Sequence, residues 1–454
     1  MSFSDIRPSR PISLRCTSAN EATNWDRMEI RPLVAVTVLY LALLVSDTAL
    51  AQYVQQGSKL VGNGASGIAW QGCSVAVSAD GNTAIVGGSR DNNNVGAAWV
   101  WTRIGGVWSQ QGTRLVGSDA VGHALQGSSV SLSADGNTAI VGGPYDNFGA
   151  GAVWVWTRSA GVWTQQGTKL VGSNAFGITQ QGNSISLSAD GNTAIVGGQT
   201  FYGNAIGLVT AGGVAWVWTR SDGVWTQQGD RLVGSGGVGY GYLNYFEGYA
   251  VSLSGDGNTA ILGRETDNGD IGAVWIWVRH GDVWTQQGNK LVGAHGVGRA
   301  DQGASVSLSA DGNTAIVGGP EDNGSGGATW IWTRDGEAWI QQGPKLIGSN
   351  AVGIHAHQGA SVSLSADGNT AVIGGNYDNR FFGAAWIWTR KDGIWTQSGD
   401  KLVGSGASGN AQQGTVSLSG DGKTAIVAGT MDDTEIGAAW VFVLTLQRRR
   451  AIGH

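Results

Sequence analysis

Along most of the chain, apolar residues recur at every second position in short stretches, and Gly, Asp and Asn separate one stretch from the next. That period predicts β-strands rather than helices. In one passage the stretches run from Ser129 to Ser133, Thr138 to Gly142, Ala152 to Arg158 and Val162 to Val171. Asp135-Gly136 joins the first two, a dipeptide favoured in two-residue hairpins because Gly supplies the positive φ at little cost. Ser159-Ala160-Gly161 turns the third stretch onto the fourth.

The same passage returns seven times. Its Asp-Gly steps fall at Asp80, Asp135, Asp190, Asp256, Asp311, Asp367 and Asp421, spaced 55, 55, 66, 55, 56 and 54 residues apart. A fixed period of this length signals a repeat architecture. Four antiparallel strands per repeat predict an all-β, seven-bladed β-propeller, because a lone four-stranded sheet cannot cover both its apolar faces and a neighbouring blade can. The ends of the repeat region agree. The last copy stops after its third strand, at Ala439-Trp440-Val441-Phe442, while a lone fourth-strand phrase, Tyr53 to Gly62, precedes the first copy. The N-terminal strand is therefore expected to complete the last blade and close the ring.

Of 21 tryptophans, 18 occupy the same three positions in six copies, and Trp440 makes a nineteenth. Their recurrence inside strands marks them as packing residues, each worth roughly 2 to 3 kcal/mol when buried. Each fourth strand also carries one basic residue: Lys59, Arg114, Lys169, Arg231, Lys290, Lys345 and Lys401. These read as charges that protect exposed sheet edges.

Ahead of the repeats, Leu33 to Val45 is a 13-residue apolar run, followed by Ala49-Leu50-Ala51. The run is short for a membrane span of about 20 residues and suits a signal peptide cleaved before Gln52. The expected organisation is a leader over 1–51, with 1–27 a misassigned start and 28–51 the signal peptide, then a propeller over 52–446 and a short basic tail over 447–454. The expected location is secreted, periplasmic or cell-surface, with no stable membrane span after cleavage; a retained signal anchor is the alternative. The net charge of -6 argues against nucleic acid, which requires clustered Lys and Arg. Cys73 is the single cysteine beyond the leader, so no disulfide forms within a monomer, the state expected here.

Phrases such as SVSLSADGNTAIVGGPYDNFGAGAVWVWTR resemble FG-GAP repeats, the blades of integrin alpha-subunit propellers, and especially their bacterial exported branch. The likeness spans 52 to about 446 and rests on Gly127, the Asp-Gly hairpin, Gly142-Gly143-Pro144 and the Gly-Ala-x-Trp start of the third strand. It implies extracellular recognition or adhesion. Family members often hold calcium in the first hairpin, but the matching positions here are Ser131, Ser133, Asp135 and Ala139. One carboxylate is too few for a hard cation, so no cofactor is expected. The family's opening Phe is also replaced, by Gln126 in the second copy.

Six further carboxylates, Asp91, Asp146, Asp267, Asp322, Asp378 and Asp432, fall between second and third strands. They read as Asx turns, or as a ring of carboxylates open to cations or amines. The third copy lacks the Asp and holds 11 extra residues, about seven between Gly198 and Trp216 and four between Gly234 and Asp256. Both insertions belong to one face. They carry Phe201, Tyr202, Tyr240, Tyr242, Tyr245, Phe246 and Tyr249, including five of the chain's nine tyrosines, and these residues are the ligand-binding candidates. His123, His295, His355 and His357 fall on the same face, and His355-x-His357 could form a metal pair but lacks a third ligand. No nucleophile elbow or triad pattern is present. The expected function is a non-enzymatic binding or adhesion module for an extracellular protein or glycan, with a lectin-like or glycan-active propeller, or a purely structural envelope or matrix component, as alternatives.

Overall fold

The computed structural model describes residues 50–175, 177–203, 209–238 and 250–447. Residues 51–447 form one compact unit, a ring of seven sheets, each of four antiparallel strands. Blades 1 to 6 span 71–110, 129–165, 184–227, 251–286, 305–341 and 361–397. In blade 7 the N-terminal strand Leu50–Gln55 lies outermost, beside Ala438–Gln447, so the chain's two ends share one sheet. Tyr53 replaces Trp at this seam. Its hydroxyl donates to Gly422 O, and burial, with Asp421 nearby, pushes it above the usual phenol range.

Each letter of the repeat has a physical task. The leading Trp of each third strand is fully buried in six blades and nearly so in blade 4. Its indole N–H donates to the connection that follows the preceding blade, as from Trp216 to Ser173 O and from Trp386 to Ser349 O. The Gly of Leu-Val-Gly lies flat on that ring. A Cβ on Gly117 would sit 2.1 Å from Trp154 Cδ1, and on Gly404, 2.2 Å from Trp440 Cγ. The buried Gln at the head of the first strand clamps the same glycine. Gln126 Oε1 accepts from Gly117 N at 2.6 Å while its amide donates to Gly117 O.

The outermost strands are shorter than expected: Val162–Gln165 in blade 2, after which Leu170 makes one isolated bridge to Val153. Chain beyond Gln165 leaves the sheet to reach the next blade. The two glutamines there divide the work. Gln165 Oε1 accepts from Ser118 N, and Gln166 Oε1 accepts from Trp225 Nε1 and Arg220 Nη1 of blade 3.

Neighbouring inner strands touch around the whole ring. Their serines satisfy edge N–H groups of the next blade, as from Leu187 N to Ser131 Oγ and from Leu253 N to Ser186 Oγ. Below them runs a closed girdle of backbone hydrogen bonds, 2.8 to 3.2 Å long: Ala79 N to Ala134 O, then on through Ala189, Gly255, Ala310, Ala366 and Gly420, with Asp421 N returning to Ala79 O. Small side chains are required there, since a Cβ on Gly420 would lie 2.9 Å from Ala79 Cβ.

Candidate functional site

The two ends of the ring are chemically unlike. At the hairpin face, the Asp-Gly turns are self-contained. Asp135 accepts from Ser133 Oγ and from the N–H and amide of Asn137. Arg158 donates to Asn137 Oδ1 and reaches Gln111 and Thr83 of blade 1. Partial burial opposes ionisation of Asp135, but these hydrogen bonds and Arg158 hold its carboxyl below the usual carboxylate range. Asp80, Asp190, Asp256, Asp311 and Asp367 behave alike. Each Asp-Gly carboxylate thus has partners within its own hairpin.

At the opposite, turn face the structure corrects two expectations. The fourth-strand bases are not edge guards, and the six turn aspartates are neither simple Asx turns nor an open carboxylate ring. They pair with each other. Asp146 is 1% exposed; its Oδ1 accepts from Val121 N at 2.7 Å and its Oδ2 from Lys169 Nζ at 2.6 Å. The same clamp joins Asp91 to Arg114, Asp267 to Lys290, Asp322 to Lys345, Asp378 to Lys401 and, across the chain's ends, Asp432 to Lys59. Burying a carboxylate requires such a partner. In blade 3, which has no aligned Asp, Arg231 donates instead to Asn174 O.

Each buried Asp opens a turn of three left-handed residues, such as Asn92, Asn93 and Asn94, or Asn379, Arg380 and Phe381. Left-handed backbone in non-glycine residues persists only where surroundings fix it. Here the next connection does so: Leu125 N and Gln126 N donate to Asn94 O and Val95 O.

These recurring clamps display two sets of varying residues at the ends of the strands nearest the axis. Ahead of the buried Gln stand Trp70, Leu125, Gln180, Asp301, His357 and Gln412, all with positive φ. Ahead of the buried Asp stand Arg90, Tyr145, Thr266, Glu321, Tyr377 and Met431. Together they form a collar at this mouth of the ring, half-buried or exposed at all positions but Gln180. Two clusters stand out. Arg90 lies 3.3 Å over the Trp70 ring, and Trp70 Nε1 donates to Glu435 of blade 7 at 2.9 Å. His357 packs 4.1 Å from Tyr377, which meets Phe381 edge-on, while His357 Nε2 lies 3.5 Å from Glu321. Burial lowers the His357 pKa despite Glu321.

Sequence reasoning missed this collar because it sought repeated letters; its signal is a position that changes between copies while both neighbours stay fixed. His355 Nδ1 donates to Gly324 O, and His357 Nε2 faces Glu321. Among the described residues, no three potential ligands gather for a metal.

The first insertion of blade 3 is an arm rather than a loop. Its second and third strands, Thr193–Gly203 and Val209–Ser221, continue five residue pairs past Gly198↔Val214, ending at Gly203↔Val209. Phe201 and Tyr202 stand in the arm opposite Ala211 and Thr210. Tyr240, Tyr242, Tyr245, Phe246 and Tyr249 lie outside the described residues.

No protein-family model matches the chain, and no curated protein is similar to it. Among solved structures it is similar to hydrazine synthase of Kuenenia stuttgartiensis, with 12% identity, a TM-score of 0.50, and 87% of this chain and 100% of that chain covered. At that identity the likeness shows the propeller fold alone.

Proposed function

We propose that this chain is an exported, non-enzymatic binding module of the FG-GAP kind, which recognises an extracellular protein or glycan through the turn face of its ring. One observation carries this reading: residues that differ between blades line the mouth of the ring on the turn face as the collar, and the blade 3 arm extends from the same end. At the hairpin face the Asp-Gly turns repeat the same internally bonded network, and variation there is held to the outer hairpins, such as His280-Gly281-Asp282 and Asp335-Gly336-Glu337. A rigid ring that displays variable side chains at one mouth is suited to recognition. The half-buried aromatics Trp70 and Tyr377 offer contact area at low entropic cost. Export rests on the leader's apolar run and Ala49-Leu50-Ala51, and FG-GAP kinship on the order of motifs within each blade.

The test is an array of glycans and extracellular proteins probed with the chain from Gln52 onward. Tyr242→Ala with Tyr245→Ala, and separately Tyr377→Ala, are expected to abolish or weaken capture by the partner found. Capture that both variants leave untouched would place recognition elsewhere.

A further inference from the structure

Arg90 occupies a place that Tyr, Thr, Glu or Met fills in other blades, and it is 45% exposed. Its guanidinium stacks on Trp70 and forms a loose, exposed ion pair with Glu435 at 3.8 Å. Among the described residues the guanidinium donates no hydrogen bond. A planar five-donor fork held flat by an aromatic ring is preorganised for a carboxylate, which it can engage through two parallel bonds. Arg90 also separates two hollows. One, of about 480 Å3, is lined by Arg90, Asn94, His123, Leu125 and Tyr145. The other, of about 440 Å3, runs from Ile68 to the Asn92-Asn93-Asn94 turn.

The rest of the first hollow supplies what a sugar ring requires. His123 Nδ1 lies 2.7 Å from Asn93 O. A carbonyl only accepts, so Nδ1 donates there, and Nε2 is left to bond a hydroxyl. The Asn94 amide offers a donor and an acceptor, and Tyr145 and Leu125 offer apolar surface. Each hollow suits one or two pyranose rings, and both open beside the same cation.

Resting on the binding role proposed above, we propose that the blade 1–blade 2 notch binds an acidic saccharide, a uronic-acid residue whose carboxylate pairs with Arg90. The experiment measures calorimetric binding of an oligogalacturonate to the chain from Gln52 onward. The same oligomer fully methyl-esterified, neutral glycans and a Glu-rich peptide serve as comparisons. Binding of the free acid is expected to exceed that of the ester, and to fall about ten- to a hundredfold in Arg90→Ala with partial recovery in Arg90→Lys. Arg299→Ala, in another blade, should leave it unchanged. Equal affinity for acid and ester, or no loss in a folded Arg90→Ala, overturns the proposal. Peptide binding without saccharide binding overturns the saccharide class. Neutral-glycan binding lost in Tyr377→Ala but kept in Arg90→Ala overturns the acidic ligand while preserving the turn face as the binding surface.

Discussion

Gly117 has no room for a single added carbon, because the Trp154 ring occupies that space. Gly117→Ala is expected to cost about 1–3 kcal/mol through overpacking, read as a lower midpoint in urea unfolding. A hairpin aspartate fails differently. The folded pKa of Asp135 lies below its unfolded value of about 3.9. Its contribution is therefore present above that pH and is lost as pH falls through the folded value. Asp135→Asn should lower stability at pH 7 and make a smaller difference at pH 3; an equal loss at both would show that ionisation is irrelevant there. At this scale the sequence was readable where a residue's task is local. Asp-Gly announced its hairpin and the first tryptophan of each copy its burial, while the third, such as Trp163, is only half-buried. Gln126 was seen only as a missing Phe, because its partner is the backbone of Gly117, which spacing does not display.

Between elements, the Asp and Lys clamp joins a turn to the chain beyond the outer strand. Breaking it with Asp146→Ala strands Lys169 beside a buried, uncompensated site and is expected to cost about 3–5 kcal/mol. Asp146→Leu combined with Lys169→Met should recover much of that, which a double-mutant cycle in urea would measure; no recovery would mean that Asp146 matters mainly through Val121 N. The pairing was legible in principle. Asp91 and Arg114, Asp146 and Lys169, and Asp322 and Lys345 are all 23 residues apart. Each member, read alone, fitted a commoner surface role. The blade 3 arm was located correctly as an insertion but expected as a loop, since its glycines and mixed polarity hide the continued pairing. Replacing 199–213 by 320–327, the short turn of blade 5, should leave the melting temperature nearly unchanged and weaken partner capture; a collapsed fold would show the arm to be structural.

Across the whole molecule, the seven-bladed ring and its closure by the N-terminal strand follow from the period and from the phase of the two ends, and the structure has both. The collar was not foreseen, because it exists only once seven blades bring their unequal positions to one mouth. The central claim is that recognition belongs to this turn face, while the Asp-Gly hairpins of the other face hold blades together. Hydrogen exchange of the chain with and without its captured partner tests this most directly. The account predicts new protection at 66–70, 90–94, 121–125 and 377–381, and none at the hairpins 80–82, 135–137 and 311–313. Protection confined to the hairpins would contradict it.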